Sequence, residues 1–182
     1  AGNDAVNHWN GTYEDDGSGY MEFSPSIGSE FELEGDGEVY VNWNAWDESI
    51  QNQEGYVVEV VDGNGDVVQS YNKTQPYVRI PGNINNEGYA IKIKKTSASK
   101  NHRFDILAWG QHGLEYTTPE SSISRPATSP NVITVAAVKT NDDLATYSSQ
   151  GPTRDGRQGI DVAATTDVSN SVYDYGYAGT SA

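Results

Sequence analysis

Between residues 30 and 109 the hydrophobic period of this chain is two, and no helical stretch interrupts it. Residues 30–34 read Glu-Phe-Glu-Leu-Glu, alternating acid and apolar side chains without exception. Successive side chains of a strand point to opposite faces, so Phe31 and Leu33 face one way and the carboxylates the other. Residues 38–43 (Glu-Val-Tyr-Val-Asn-Trp) repeat the pattern after the turn Gly35-Asp36-Gly37. Residues 56–61 form a β-branched run closed by Asp62-Gly63-Asn64-Gly65, which reads as a hairpin turn with residues 66–71 as the returning strand. Residues 77–80 follow Pro76, and residues 89–95 and 102–109 each alternate. Seven or eight short strands at about ten-residue spacing predict an antiparallel, jelly-roll-like β-sandwich.

The flanks behave differently. Residues 4–29 are polar and turn-rich, and predict no regular element. Within them Asp15, Asp16 and Glu22 stand in a glycine-rich acidic turn. Hard cations want several carboxylate and carbonyl oxygens around a tight turn, so these three are candidate ligands for a structural calcium ion. Their spacing departs from the EF-hand, and a solvated acidic turn is the other reading. Residues 110–131 form a loop carrying Pro119, Pro126 and Pro130. Residues 132–138 are then nearly all apolar, as a strand buried on both faces requires, and residues 160–164 are a shorter segment of the same kind.

Composition limits the partners. The 26 acidic residues against 11 basic ones give a net charge of −15, which argues against nucleic acid and anionic membranes. It fits a salt-tolerant extracellular protein or a cation-binding one. With no cysteine there is no disulfide and no thiol chemistry. No apolar run approaches the roughly 18 residues of a membrane helix, and the first residues do not read as a signal peptide. Trp43, Trp46 and Trp109 read either as a face for a glycan or protein ligand or as core residues of the sandwich. Asn10-Gly-Thr12 and Asn72-Lys-Thr74 match the glycosylation sequon, relevant only in a eukaryotic secretory host.

Five ordered motifs remain. The chain opens Ala1-Gly2-Asn3. Later come Pro126-Ala-Thr-Ser-Pro-Asn131-Val-Ile-Thr-Val-Ala-Ala137, Ala145-Thr-Tyr147-Ser-Ser-Gln-Gly-Pro152, Gly159-Ile-Asp-Val-Ala-Ala164 and finally Gly179-Thr180-Ser181. Together they resemble the C-terminal part of the catalytic domain of subtilisin-like serine peptidases, the subtilases. The resemblance covers residues 121–182 and the opening tripeptide. It implies that Ser181 matches the nucleophile and Asn3 the oxyanion-hole amide. Two departures from the family stand out: Ala136-Ala137 where a glycine is usual, and Ala164-Thr165-Thr166 where a proline-glycine turn is common.

That chemistry needs those residue types. A serine hydroxyl becomes a competent nucleophile when an imidazole takes its proton, and a preorganised amide stabilises the oxyanion that forms. The triad also needs a histidine held by a carboxylate. His8, His102 and His112 stand in no His-Gly-Thr-like setting. The family carries its aspartate and histidine upstream of Ala-Gly-Asn. The resemblance therefore implies a fragment, inactive alone, that works on a peptide or protein substrate together with the rest of the catalytic domain. No cofactor is required for such chemistry. The domain reading is residues 1–8 and 121–182 as catalytic-domain segments, an incomplete α/β remnant, with residues 9–120 an inserted sandwich. The alternatives are a sandwich-class binding module for a glycan or protein, and a pseudo-peptidase scaffold.

Overall fold

The computed structural model describes every residue except 16, 34, 36, 46–54, 74, 83–87, 111–113, 169–175 and 181–182. The protein is mainly β, with no α-helix among the described residues. It divides into two compact units, Trp9–Tyr116 on the one hand and Ala1–His8 with Thr117–Ala182 on the other.

The larger unit is built from β1 (His8–Thr12), β2 (Phe31–Leu33), β3 (Glu38–Trp43), β4 (Tyr56–Val61), β5 (Val67–Lys73), β6 (Tyr77–Ile80), β7 (Tyr89–Lys95) and β8 (Arg103–Trp109). One sheet has the order β1-β8-β3-β6 and the other β2-β7-β4-β5. Strand 1 thus lies beside 8, 2 beside 7, 3 beside 6 and 4 beside 5. This nesting is that of a jelly roll, a long hairpin rolled so that successive pairs alternate between two sheets. The inward positions of the alternating strands build the core. Val41 stands opposite Val78 and Ile106 in one sheet, and Val58 opposite Ile93 in the other. All five are buried in a single hydrophobic cluster.

Aromatic rings fill the widest parts of that cluster. Tyr56 packs edge-on against Phe104 at 4.8 Å and Trp43 at 5.6 Å, and its hydroxyl lies 2.9 Å from Nδ1 of the buried His102. Trp9, Phe23 and Phe31 form a second trio with centroids 5.0–5.8 Å apart. The hairpin turn after β4 forms as its sequence suggests. The Asp62 carboxylate accepts the N–H groups of Asn64 (2.9 Å) and Asp66 (3.1 Å), and Gly65 takes a positive φ of 82°.

One expectation needs correction in this unit. Residues 4–29 do not stay outside the regular structure: β1 forms a sheet edge, and Trp9, Tyr13, Met21 and Phe23 belong to the core. Their apolar side chains are too irregularly spaced to show a period. Of the two readings of the tryptophans, the core one holds for Trp43. Trp43 is 1% exposed and Trp109 is 64% exposed, while Trp46 lies outside the described residues.

In the smaller unit β9 (Val135–Val138) and β10 (Val162–Thr165) pair in parallel, Ala136 opposite Ala163. Ala136 and Ala137 are buried. The expected burial on both faces does not extend further: Ile133 is 78% exposed, Val162 50%, and all of β10 is exposed. A parallel strand is buried only where layers cover both faces, and among the described residues β10 has β9 as its single sheet neighbour. Loops 125–134 and 151–161 are tied by polar contacts. Arg157 donates to the Thr128 carbonyl at 2.6 Å, and the Thr134 N–H donates to Asp161 Oδ2 at 2.7 Å.

Two surface carboxylates, the half-buried Glu38 and the exposed Asp155, titrate low. Arg79 and then the Tyr40 hydroxyl hold Glu38 down to about 2, and the Thr153 hydroxyl and then Arg157 hold Asp155 down to about 2. A depressed carboxyl contributes stability above its unfolded pKa and loses it as pH falls through the folded value. Thermal stability is therefore expected to decline gradually from about pH 4.5 to about pH 2, by a small amount because both groups are solvated. Glu38→Gln should flatten that decline in the sandwich; an unchanged melting-temperature profile between wild type and variant would contradict it.

Candidate active site

The site is built on two limbs of the smaller unit that are far apart in sequence. The first is residues 2–5. Gly2 adopts φ +104°, and an added Cβ would lie 2.9 Å from Asp4 Oδ2 and 3.2 Å from Ser149 Oγ, so a side chain is excluded twice over. Ser149 grips this limb from behind. Its N–H donates to the Gly2 carbonyl and its Oγ accepts the Asp4 N–H, both at 3.0 Å. Ser124 Oγ donates to Asp4 Oδ2 at 2.8 Å, and the Ala5 N–H to the Tyr147 carbonyl at 3.3 Å. The arrangement leaves Asn3 as the exposed residue of a limb whose neighbours are all tied down.

The second limb is Gly179-Thr180. The Thr180 N–H and hydroxyl both donate to Asn3 Oδ1, each at 3.1 Å, and the Gly2 N–H donates to Thr180 Oγ1 at 3.1 Å. A backbone N–H can only donate, so the amide atom facing Thr180 is the oxygen. The Nδ2 hydrogens are therefore the end of the Asn3 amide turned away from Thr180. Ser181, next in sequence, lies outside the described residues.

The structure brings Asn3 and the Gly179-Thr180 limb together. His8 is buried with Nδ1 2.9 Å from the Thr118 carbonyl oxygen, His102 is buried in the sandwich, and His112 lies outside the described residues. In the acidic turn Asp15 Oδ1 accepts the N–H groups of Gly17 and Gly19, both at 2.8 Å, and Glu22 sits beyond the Asp15–Met21 bridge. Asp16 lies outside the described residues, and among those described no three acidic or histidine side chains converge as metal ligands. Sequence reasoning missed Thr180, Ser149, Tyr147 and Thr166. The first three stand inside motifs already singled out, but nothing in a motif says which of its hydroxyls face one another.

Comparison with known proteins agrees with the fold. The model of the subtilase family, Peptidase_S8, matches residues 7–182, so the chain belongs to that family. The match begins after Asn3, whose position at the site rests on its bonds to Thr180. Among solved structures, the Clostridium perfringens CspB protease superposes with a TM-score of 0.70 at 16% identity, over 100% of this chain and 44% of that one. This chain thus spans less than half the length of that structure, and the likeness is one of fold. A chain of the glycosylation associate protein (Gap123) complex from Streptococcus agalactiae gives a TM-score of 0.33 at 12% identity, covering 88% of this chain and 47% of that one. No curated protein matches the chain.

Proposed function

We propose that this chain is part of a secreted subtilisin-like serine endopeptidase that hydrolyses peptide bonds through an acyl-enzyme. The observation that carries the reading is the pair of bonds to Asn3 Oδ1 from Thr180, the residue before Ser181 in sequence, which leave the Nδ2 hydrogens of the amide to serve as the donor. Ser181 Oγ attacks the scissile carbonyl as a histidine takes its proton. The oxyanion then receives hydrogen bonds from Asn3 Nδ2 and the Ser181 N–H, and the amine leaves with the proton returned by the imidazole. Water, activated by the same imidazole, releases the acyl group. The histidine and its aspartate come from outside this chain, so the chain alone does not hydrolyse peptides.

The rest of the catalytic domain is the natural partner of the exposed apolar side chains of Ile133, just before β9, and Val162 in β10. Residues 9–120 are an inserted domain, tolerated where the two ends of the insertion lie close together. The chemistry requires no cofactor, and a structural calcium at Asp15, Asp16 and Glu22 is a separate, stabilising role. Nucleic acid and membranes are not partners of so acidic a chain. Hydrolysis of a protein substrate by the parent protein is expected to vanish in Ser181→Ala. Undiminished hydrolysis by that variant would remove Ser181 from the mechanism; a folded, processed parent without any hydrolysis would leave a scaffold or binding module.

A further inference from the structure

We propose that Tyr147 is a positioning residue that holds the oxyanion limb and the nucleophile limb in register. The proposal rests on the roles of Asn3 and Ser181 given above. The main-chain carbonyl of Tyr147 accepts the N–H of Ala5, two residues after Asn3, at 3.3 Å. Its hydroxyl accepts the N–H of Gly179, two residues before Ser181, at 3.1 Å. One residue thus grips both limbs, each at the same sequence distance from a group that must meet the same oxyanion.

Thr166 completes the contact. It is 1% exposed, its Oγ1 accepts the same Gly179 N–H at 3.0 Å, and it stands 2.7 Å from the Tyr147 hydroxyl. Since both oxygens accept from Gly179, one hydroxyl must donate to the other. With Tyr147 donating to Thr166, the threonine hydrogen is directed to the Gly179 carbonyl oxygen at 3.5 Å, and each polar group of the cluster has a use. The tyrosine ring packs whether or not it carries the hydroxyl, so the two contributions are separable by experiment. An oxyanion donor works only within a few tenths of an ångström of its mark, and a displacement of about 1 Å costs on the order of 10²-fold. Loosening Gly179 should therefore appear in the chemical step rather than in substrate binding.

The test uses the parent peptidase. Tyr147→Phe is expected to lower kcat about five- to tenfold with KM unchanged within about twofold, the loss of one partly buried hydrogen bond. Thr166→Val should do the same and Thr166→Ser should restore the rate. Because both hydroxyls act on one N–H, the double variant should lose less than the product of the two single losses. In the wild type the Gly179 amide should be protected from hydrogen exchange. A lower melting temperature with unchanged kcat in Tyr147→Phe, or a freely exchanging Gly179 amide, overturns the positioning role while leaving Ser181 and Asn3 in place. A wild-type parent that shows no hydrolysis and no labelling of Ser181 overturns both readings together.

Discussion

Asn3→Ala in the parent peptidase is expected to lower kcat by about 10²–10³-fold with little change in KM, the size of loss found for an oxyanion-hole asparagine in subtilisin. The value of the amide in the proposed mechanism lies in the charge that develops on the carbonyl oxygen. Asn3→Asp separates donor from scaffold. The aspartate can still accept from the Thr180 N–H and hydroxyl, now 3.1 Å from Oδ1. It would, however, present a second carboxylate oxygen where the amide presents hydrogens. Its loss should therefore exceed that of alanine. An aspartate variant as active as wild type, in steady-state hydrolysis of a peptide substrate, would show that no oxyanion forms against this side chain.

The second large effect concerns stability. Trp9 is fully buried between Phe23 at 5.2 Å and Phe31 at 5.8 Å, and its ring covers Gly11 so closely that a Cβ there would lie 2.5 Å from a ring carbon. Trp9→Ala removes the largest member of the trio and leaves a cavity that β1, already tied into its sheet, cannot collapse to fill. The expected cost is about 3–5 kcal/mol, a large share of the roughly 5–15 kcal/mol that stabilises a domain. Trp109→Ala is the comparison: its side chain is mostly in water, and the change should stay within about 0.5 kcal/mol. Urea unfolding of the sandwich followed by far-ultraviolet circular dichroism measures both. Equal midpoints for the two variants would place Trp9 outside the cooperative core.

The sandwich was legible because its strands keep the period of two. The observed bounds of β3, β4, β6 and β7 coincide with the alternating runs 38–43, 56–61, 77–80 and 89–95. β1 was not legible. Its sequence, His-Trp-Asn-Gly-Thr, has no alternation, and Trp9 and Gly11 meet for a reason of shape that no periodicity carries. The run at 132–138 misled in the other direction. Apolar content marks residues that ought to be covered, yet Val132 and Ile133 lie in the open, while the buried residues of that run are Thr134, Ala136 and Ala137. At the site, the sequence supplied Asn3 and Ser181 through a family resemblance. What positions Asn3 came from Thr180, and what positions Thr180 came from Gly179, Tyr147 and Thr166. Hydroxyl partners separated by 13 to 178 residues leave no local pattern to read.

The central claim is that Ser181 is an activated nucleophile in the parent protein. Treating the folded, processed parent with a fluorophosphonate probe, digesting it and locating the adduct by mass spectrometry tests this most directly, with Ser181→Ala as control. The expected result is a single adduct on Ser181 that disappears in the variant and forms far more slowly in Asn3→Ala. An adduct on another residue, or none on a protein shown to be folded, would contradict it.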